Sequence, residues 1–386
     1  MKVYLDHNAT TPLAVEAREA MQPYLEQLSG NPSGIHRWGR LARAALERAR
    51  EQVAGLINAH PSQIIFTSGA TEANNLALKG WAAATGSGSR LAVSAVEHAS
   101  VMAPARALAR RGLSLSLIEV DREGRVTPAT LSEVLSAAGP GLVSVMSANN
   151  ETGVIQDLAM IADRVRGAGG VLHSDAAQAA GKIELDFTAS GVHLMSLSAH
   201  KLYGPQGAGA LVLDKGVELE PLLHGGGQEG GLRAGTENLA AIVGFGAAAE
   251  IARRKLALRR ERLAALRAYL EGRLRELPQV VLFAELAPRL PNTVCLGVPG
   301  LDGETLVMNL DRQGLALSSG SSCASASSEP SHVLLAMGVA PELARCAIRI
   351  SLGEGNTRTD IDALIAALVR QIGVLSVPSQ ADWAPL

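Results

Sequence analysis

Residues 171–213 read VLHSDAAQAAGKIELDFTASGVHLMSLSAHKLYGPQGAGALVL. Three apolar runs in this stretch, at 171–174, 194–198 and 209–213, have the length of strands and end in small, polar or turn-forming residues. Similar runs stand upstream at 64–67, 90–95, 115–120 and 142–147. Helix-like stretches lie near 72–84, 100–111, 128–138 and 157–168. Strands interleaved with helices predict an α/β fold whose mostly parallel sheet is covered on both faces. Ligands of such sheets gather at the carboxyl ends of the strands. Asp175 and Lys201 stand at two of those ends.

Past the Gly-rich stretch 224–235 the texture changes. A long helical pattern at 238–277 leads to a strand at 293–297, a helix at 303–313, a Ser-rich loop, a strand at 347–352 and a final helix at 359–375. At 386 residues the chain exceeds what one hydrophobic core usually serves. The expected division is a large domain over 15–250 and a smaller α/β domain over 251–386, which also takes in 1–14. A junction between domains favours a small-molecule site.

Composition narrows the function classes. Apolar residues make up 47% of the chain, too many for disorder. A formal net charge of −2 offers no basic excess for nucleic acid. The basic cluster at 253–262 reads as a solvated helix face. No apolar run is long enough to span a bilayer, and the opening MKVYLDHNATTP lacks the apolar core of a secretory signal. Three widely spaced cysteines form neither a disulfide framework nor a zinc pattern. A reducing cytoplasm is the expected location.

Lys201 is conspicuous in a chain whose other lysines are Lys2, Lys79, Lys182, Lys215 and Lys255. An amine at a strand end can form a Schiff base once burial or a nearby cation lowers its pKa. A lysine there is also commonly a surface residue. Asp175 could pair with a protonated pyridine nitrogen, the combination that pyridoxal-phosphate sites require, or simply cap a helix. The strand, glycine turn and helix start around Ser68-Gly-Ala-Thr71 present free N–H groups to an anion, although Thr71 is also a plausible cap. The run Gly225 to Thr236 offers either a second anion-binding rim or a flexible loop. Cys323 lies in a loop of small polar residues, as a reactive, exposed thiol should, whereas Cys295 and Cys346 sit among apolar neighbours.

Taken in order, the strings Tyr4-Leu-Asp-His-Asn-Ala-Thr-Thr-Pro12, Thr67-Ser-Gly-Ala-Thr-Glu72, Glu97-His98, Asn149-Asn-Glu-Thr-Gly153, Asp175-Ala-Ala-Gln178, Ser198-Ala-His-Lys201, Arg233-Ala-Gly-Thr236, Ser318-Ser-Gly-Ser-Ser-Cys323 and Ala347-Ile-Arg-Ile-Ser351 closely resemble the group I cysteine desulfurases of the NifS/IscS type. Those are fold type I pyridoxal-phosphate enzymes related to the class V aminotransferases, and the likeness covers nearly the whole chain. It implies that Lys201 carries the cofactor and that Asp175 partners its ring nitrogen. It further implies Gln178 on the ring's phenolic oxygen and Asn150 near ring or substrate. Ala70, Thr71, Ser198 and His200 would hold the phosphate, with Thr236 supplied by the second chain of a homodimer. His98 would stack on the ring and move protons, Asn8 and Arg349 would clamp the substrate carboxylate, and Cys323 would take the sulfur of L-cysteine as a persulfide. No resident metal is implied, though Cys323 could ligate a transient iron–sulfur cluster.

Alanine would be the second product, and an iron–sulfur scaffold or a thiolation carrier the sulfur acceptor. The same likeness admits a selenocysteine lyase or a class V aminotransferase, and a scaffold that has lost catalysis is the alternative from another class. The sequence departs from the family at Ser322-Cys323-Ala324, commonly Ala-Cys-Thr, and at Ala199, commonly Gly. The tail at 376–386 is shorter than the docking tails of housekeeping members, which leaves the acceptor open.

Overall fold

The structure, a computed structural model, describes residues 2–86, 88–139, 141–320 and 329–375. Its main sheet has seven strands in the spatial order Ile64–Thr67, Gly209–Leu213, Leu194–Ser198, Val171–Asp175, Leu142–Ser144, Arg90–Ser94 and Ser114–Ile118. Gly209–Leu213 runs antiparallel to both neighbours, and the remaining pairings are parallel. The central strands Leu142–Ser144 and Leu194–Ser198, and the edge strand Ile64–Thr67, are buried on both faces. That is why they read as continuous apolar runs rather than as an alternation.

Helices pack on the sheet, each started by a recognisable signal. His98 caps Ala99–Ala109, Thr127 caps Pro128–Ala138 and Asp157 caps Leu158–Gly167, each through its side chain. The helix expected at 72–84 begins at Ala70 and ends at Thr85, with a widened π turn at Leu76–Gly80. Two helices not anticipated from the sequence, Val15–Glu26 and Arg37–Leu56, precede the first sheet strand. The second buries Ala42, Leu46, Ala49 and Val53 in the core shared with Phe245 and Ala249.

The helix Leu239–Arg275 serves two cores. Its first half places Ile242, Phe245 and Ala249 among the sheet residues, and its second half places Leu263, Leu266 and Leu270 with Val294, Ile348 and Leu364. The expected boundary at 250/251 therefore falls inside a continuous helix. The second core lies against a small antiparallel sheet, ordered Ser318–Ser319, Ala347–Ser351, Thr293–Gly297 and Val281–Leu282. Val3–Tyr4 pairs in parallel with Leu315–Ala316, and Val3 and Leu5 join this core. Not all of the basic cluster is solvated as expected. Arg259 is buried, with its guanidinium 4.9 Å above the Tyr203 ring and a bond to Gly181 O. Among the described residues no helix is long and apolar enough to cross a membrane.

The Gly-rich stretch is pinned to the sheet. Buried Glu229 accepts two bonds of 2.8 Å from the Arg50 guanidinium and a third from Phe66 N–H. Arg50→Met would strand that carboxylate without its partner, at an expected cost of about 3–5 kcal/mol. A lower urea midpoint in Arg50→Met, partly restored by adding Glu229→Gln, is the expected result.

Candidate active site

The parallel strands bring their carboxyl ends to one edge of the sheet, where Thr67, Asp175 and Ser198 end their strands. Gly209, the first residue of the reversed strand, lies there too. A Cβ at 209 would stand 2.5 Å from the Cα of Gly69, so this close backbone approach requires glycine. The N-terminal segment enters from its two-stranded pairing with Leu315–Ala316 and lies across this edge. Between them is a cavity of about 620 Å³.

Asp175 is buried beneath it. Its carboxylate accepts from the Asn74 side-chain amide at 2.7 Å and from Ala177 N–H at 2.9 Å. The helix-cap alternative does not form, because a turn and not a helix follows Asp175. Asn74 also donates to Ser100 Oγ, while its Oδ1 is buried without a partner. Asn74 was not singled out from the sequence. Its position mid-helix, pointing at a strand-end carboxylate, is a tertiary fact with no local signal.

His98 caps a helix and lines the cavity at once. Its Nδ1 accepts from Ser100 N–H at 3.1 Å, so the neutral ring carries its proton on Nε2. Burial lowers its pKa below the usual histidine value, with Lys201 and His332 adding to the effect and Asp175 opposing it. The ring is therefore neutral in neutral solution.

The anion turn is open. Gly69 adopts φ 156° and ψ 175°, a region essentially confined to glycine, and a Cβ there would meet nothing within 4 Å. Ala70 begins the helix, and Thr71 lines the cavity without serving as the cap, since Gly69 occupies that position. Ser198 and His200 line the same space. His200 Nδ1 lies 3.1 Å from Thr10 Oγ1, and burial together with Lys201 and Lys182 pulls its pKa down to about 4.

Lys201 ends a short 3-10 turn after its strand and donates to the main-chain oxygens of Asn8, at 2.6 Å, and Ala9, at 2.7 Å. Gln178 lines the cavity beside it and donates Nε2 to the same Asn8 oxygen. Arg349 is 2% exposed in the middle of the small sheet, far from an ordinary surface residue. Its guanidinium pairs with Asp6 at 2.7 Å and donates to Asn150 O at 3.1 Å, and its Nε is buried without a partner. The Asn8 amide is saturated within the protein. Its two N–H bonds go to Asn150 O and Thr293 Oγ1, and its oxygen accepts from Lys182 and Asn292.

Thr236 is exposed and stands apart from the residues lining this cavity. Cys323 lies outside the described residues. The two other thiols are both buried, and burial drives that of Cys295 far above its ordinary pKa. Lys182 was noted only as one of few lysines. Its spacing of four residues from Gln178 was the signal that could have marked it.

The family pattern of the class V aminotransferases matches residues 3–364. The chain is 42% identical over 386 residues to the cysteine desulfurase IscS of Dictyoglomus turgidum, covering 99% of this chain and 98% of that one. It is 44% identical over 384 residues to a cysteine desulfurase of Cereibacter sphaeroides, covering 97% of each. Among solved structures a NifS-like protein superposes with a TM-score of 0.90 at 36% identity, covering 97% of this chain and all (100%) of that one. The protein SspA, solved in complex with cysteine, gives 0.80 at 32% identity, covering 91% of this chain and 99% of that one. With a sheet whose strand ends converge on Lys201 and Asp175 and relatives matched over nearly their full length, the chain belongs to the class V aminotransferase family, in its cysteine desulfurase group.

Proposed function

We propose that the protein removes sulfur from L-cysteine with the help of pyridoxal phosphate, leaving alanine and a persulfide on Cys323. One observation carries the reading: an amine, Lys201, and a buried carboxylate, Asp175, border a single cavity whose third wall is an open glycine turn. The donor set suits the cofactor. The N–H groups at Ala70 and Thr71 and the side chains of Thr71, Ser198 and His200 would hold its phosphate. Asp175 would keep its ring nitrogen protonated, Gln178 would bond its ring oxygen, Asn150 would support ring or substrate, and Lys201 would carry it covalently. Bound there, the cofactor supplies an electron sink for the substrate Cα, which no side chain can provide.

The chain's own residues do the rest. Arg349 holds the substrate carboxylate, with a planar guanidinium suited to two parallel bonds. Asn8 acts on that carboxylate through the backbone and amide network it anchors. Lys201 takes the Cα proton, and His98 moves a proton at the substrate through Nε2. Cys323 attacks the substrate sulfur. The S–S bond forms as the Cβ–S bond breaks, its electron pair stays with carbon, and the carbon skeleton takes up a proton and leaves as alanine.

The sulfur then passes to an acceptor protein, an iron–sulfur scaffold or thiolation carrier. Exposed Thr236 fits a homodimer in which each chain lends this residue to the other's cofactor. We read 15–250 as the cofactor-binding domain and the remainder as the smaller one, operating in the cytoplasm.

Borohydride reduction of the holoprotein followed by peptide mapping is expected to label Lys201, and Lys201→Ala to lose the label and about 10²–10⁴-fold in rate. Cys323→Ala is expected to keep cofactor absorbance and cysteine binding while its sulfide output collapses. An aminotransferase would be indifferent to that change. Because the His98 pKa is depressed, its neutral form survives to lower pH than usual. The limb of kcat/KM that reports its protonation therefore lies below pH 6.5 and is absent from His98→Gln.

A further inference from the structure

Lys182 is 6% exposed and lies directly behind the cavity wall. Its Nζ donates to Gln178 Oε1 at 2.6 Å and to Asn8 Oδ1 at 2.9 Å. Among the described residues no Asp or Glu pairs with it, and its charge is opposed by Lys201, Arg349 and Arg259. Burial and these cations hold its pKa well below that of an ordinary lysine. A long amine enclosed without a carboxylate is a poor way to fill space, because desolvating it costs more than an apolar chain of equal length.

Its donor chemistry gives it a use. A protonated lysine amine donates and cannot accept, so an amide facing it must present oxygen. Even a neutral amine keeps two hydrogens, enough for both bonds. Gln178 and Asn8 are therefore held with their oxygens toward Lys182 and their NH2 groups directed elsewhere. Gln178 Nε2 reaches the Asn8 main-chain oxygen, which also accepts from Lys201. Asn8 Nδ2 reaches Asn150 O and Thr293 Oγ1. The backbone presenting the amine is fixed as well, since Lys182 N–H bonds to Ala179 O and Ala180 N–H to Ala176 O.

We propose that Lys182 is a positioning residue that, together with the Asn8 main-chain oxygen, sets which way the Gln178 amide faces, and so makes Gln178 a hydrogen-bond donor to the cofactor's ring oxygen. This rests on the function proposed above. With an apolar side chain at 182 the Asn8 amide stays fixed by Asn292 and Asn150 O. The Gln178 oxygen loses its partner, and only the bond from Nε2 to Asn8 O still opposes a half-turn. The rotated form, with oxygen facing the ring oxygen, then gains population.

The test is Lys182→Met, assayed in three ways. The apoprotein is expected to melt at or above the wild-type temperature, because a buried amine has been replaced by a thioether of similar length. Pyridoxal phosphate, titrated by absorbance, is expected to bind about tenfold more weakly, the value of one oriented bond to a charged group. In a Gln178→Ala background the same change is expected to cost less than about twofold, since the amide it orients is gone. Lys182→Gln, which can both donate and accept, is expected to fall between the two. Unchanged cofactor affinity in Lys182→Met, or an undiminished loss in the Gln178→Ala background, would overturn the assignment. Wild-type protein that fails to take up the cofactor would instead defeat the underlying function, so the two failures are separable.

Discussion

Asn8 is where the seven-stranded and four-stranded sheets are tied together, and the site depends on that tie. Its segment starts as a strand paired with Leu315–Ala316 beside the smaller core and crosses to the strand ends of the larger sheet. Its main-chain oxygen receives Lys201 and Gln178, and its side chain is shared among Lys182, Asn292, Thr293 and Asn150. Every one of these groups except the Lys201 amine is buried, so each needs a partner or incurs a desolvation penalty. The network satisfies them only in one arrangement of the two layers. Thr11 reinforces it, binding His200 O through both its N–H and its hydroxyl.

The electrostatics follow from the same geometry. Lys182, Lys201 and Arg349 crowd one wall, and His7 and His200 are held neutral by burial and by these cations. Asp6 and Asp175 offset part of this charge, one on Arg349 and the other on Asn74. In a cleft with low-dielectric walls such a balance attracts anions. A phosphate and a carboxylate are the two anions that the proposed chemistry requires.

Much of this was legible in the sequence, for reasons that can be traced. The runs at 64–67, 194–198 and 209–213 matched their strands because strands buried on both faces are short, apolar and abruptly ended. Runs at 115–120 and 142–147 overshot, since Ser114–Ile118 and Leu142–Ser144 stop earlier, where the chain leaves the ladder. The reversal of Gly209–Leu213 had no signal in its own residues. Arg37–Leu56 escaped notice because alanines supply much of its buried face and give little contrast. Val15–Glu26 carries Pro23 and lacks a side-chain cap. Lys201 and Asp175 stood out as polar residues closing apolar strands, and His98 through the family resemblance. Asn74 acts at a distance in sequence, and only the folded chain brings it to the carboxylate it serves, while Lys182 lies four residues from Gln178 but reaches Asn8 only through the fold.

The helix Leu239–Arg275 spans roughly 55 Å at 1.5 Å per residue. Because each half is rooted in a different core, it works as a rigid beam clamped at both ends. A chain severed at 250 would leave two stubs, each baring a greasy face meant for its own neighbours. Neither fragment is a natural unit for expression, and loosening one core is felt mechanically by the other.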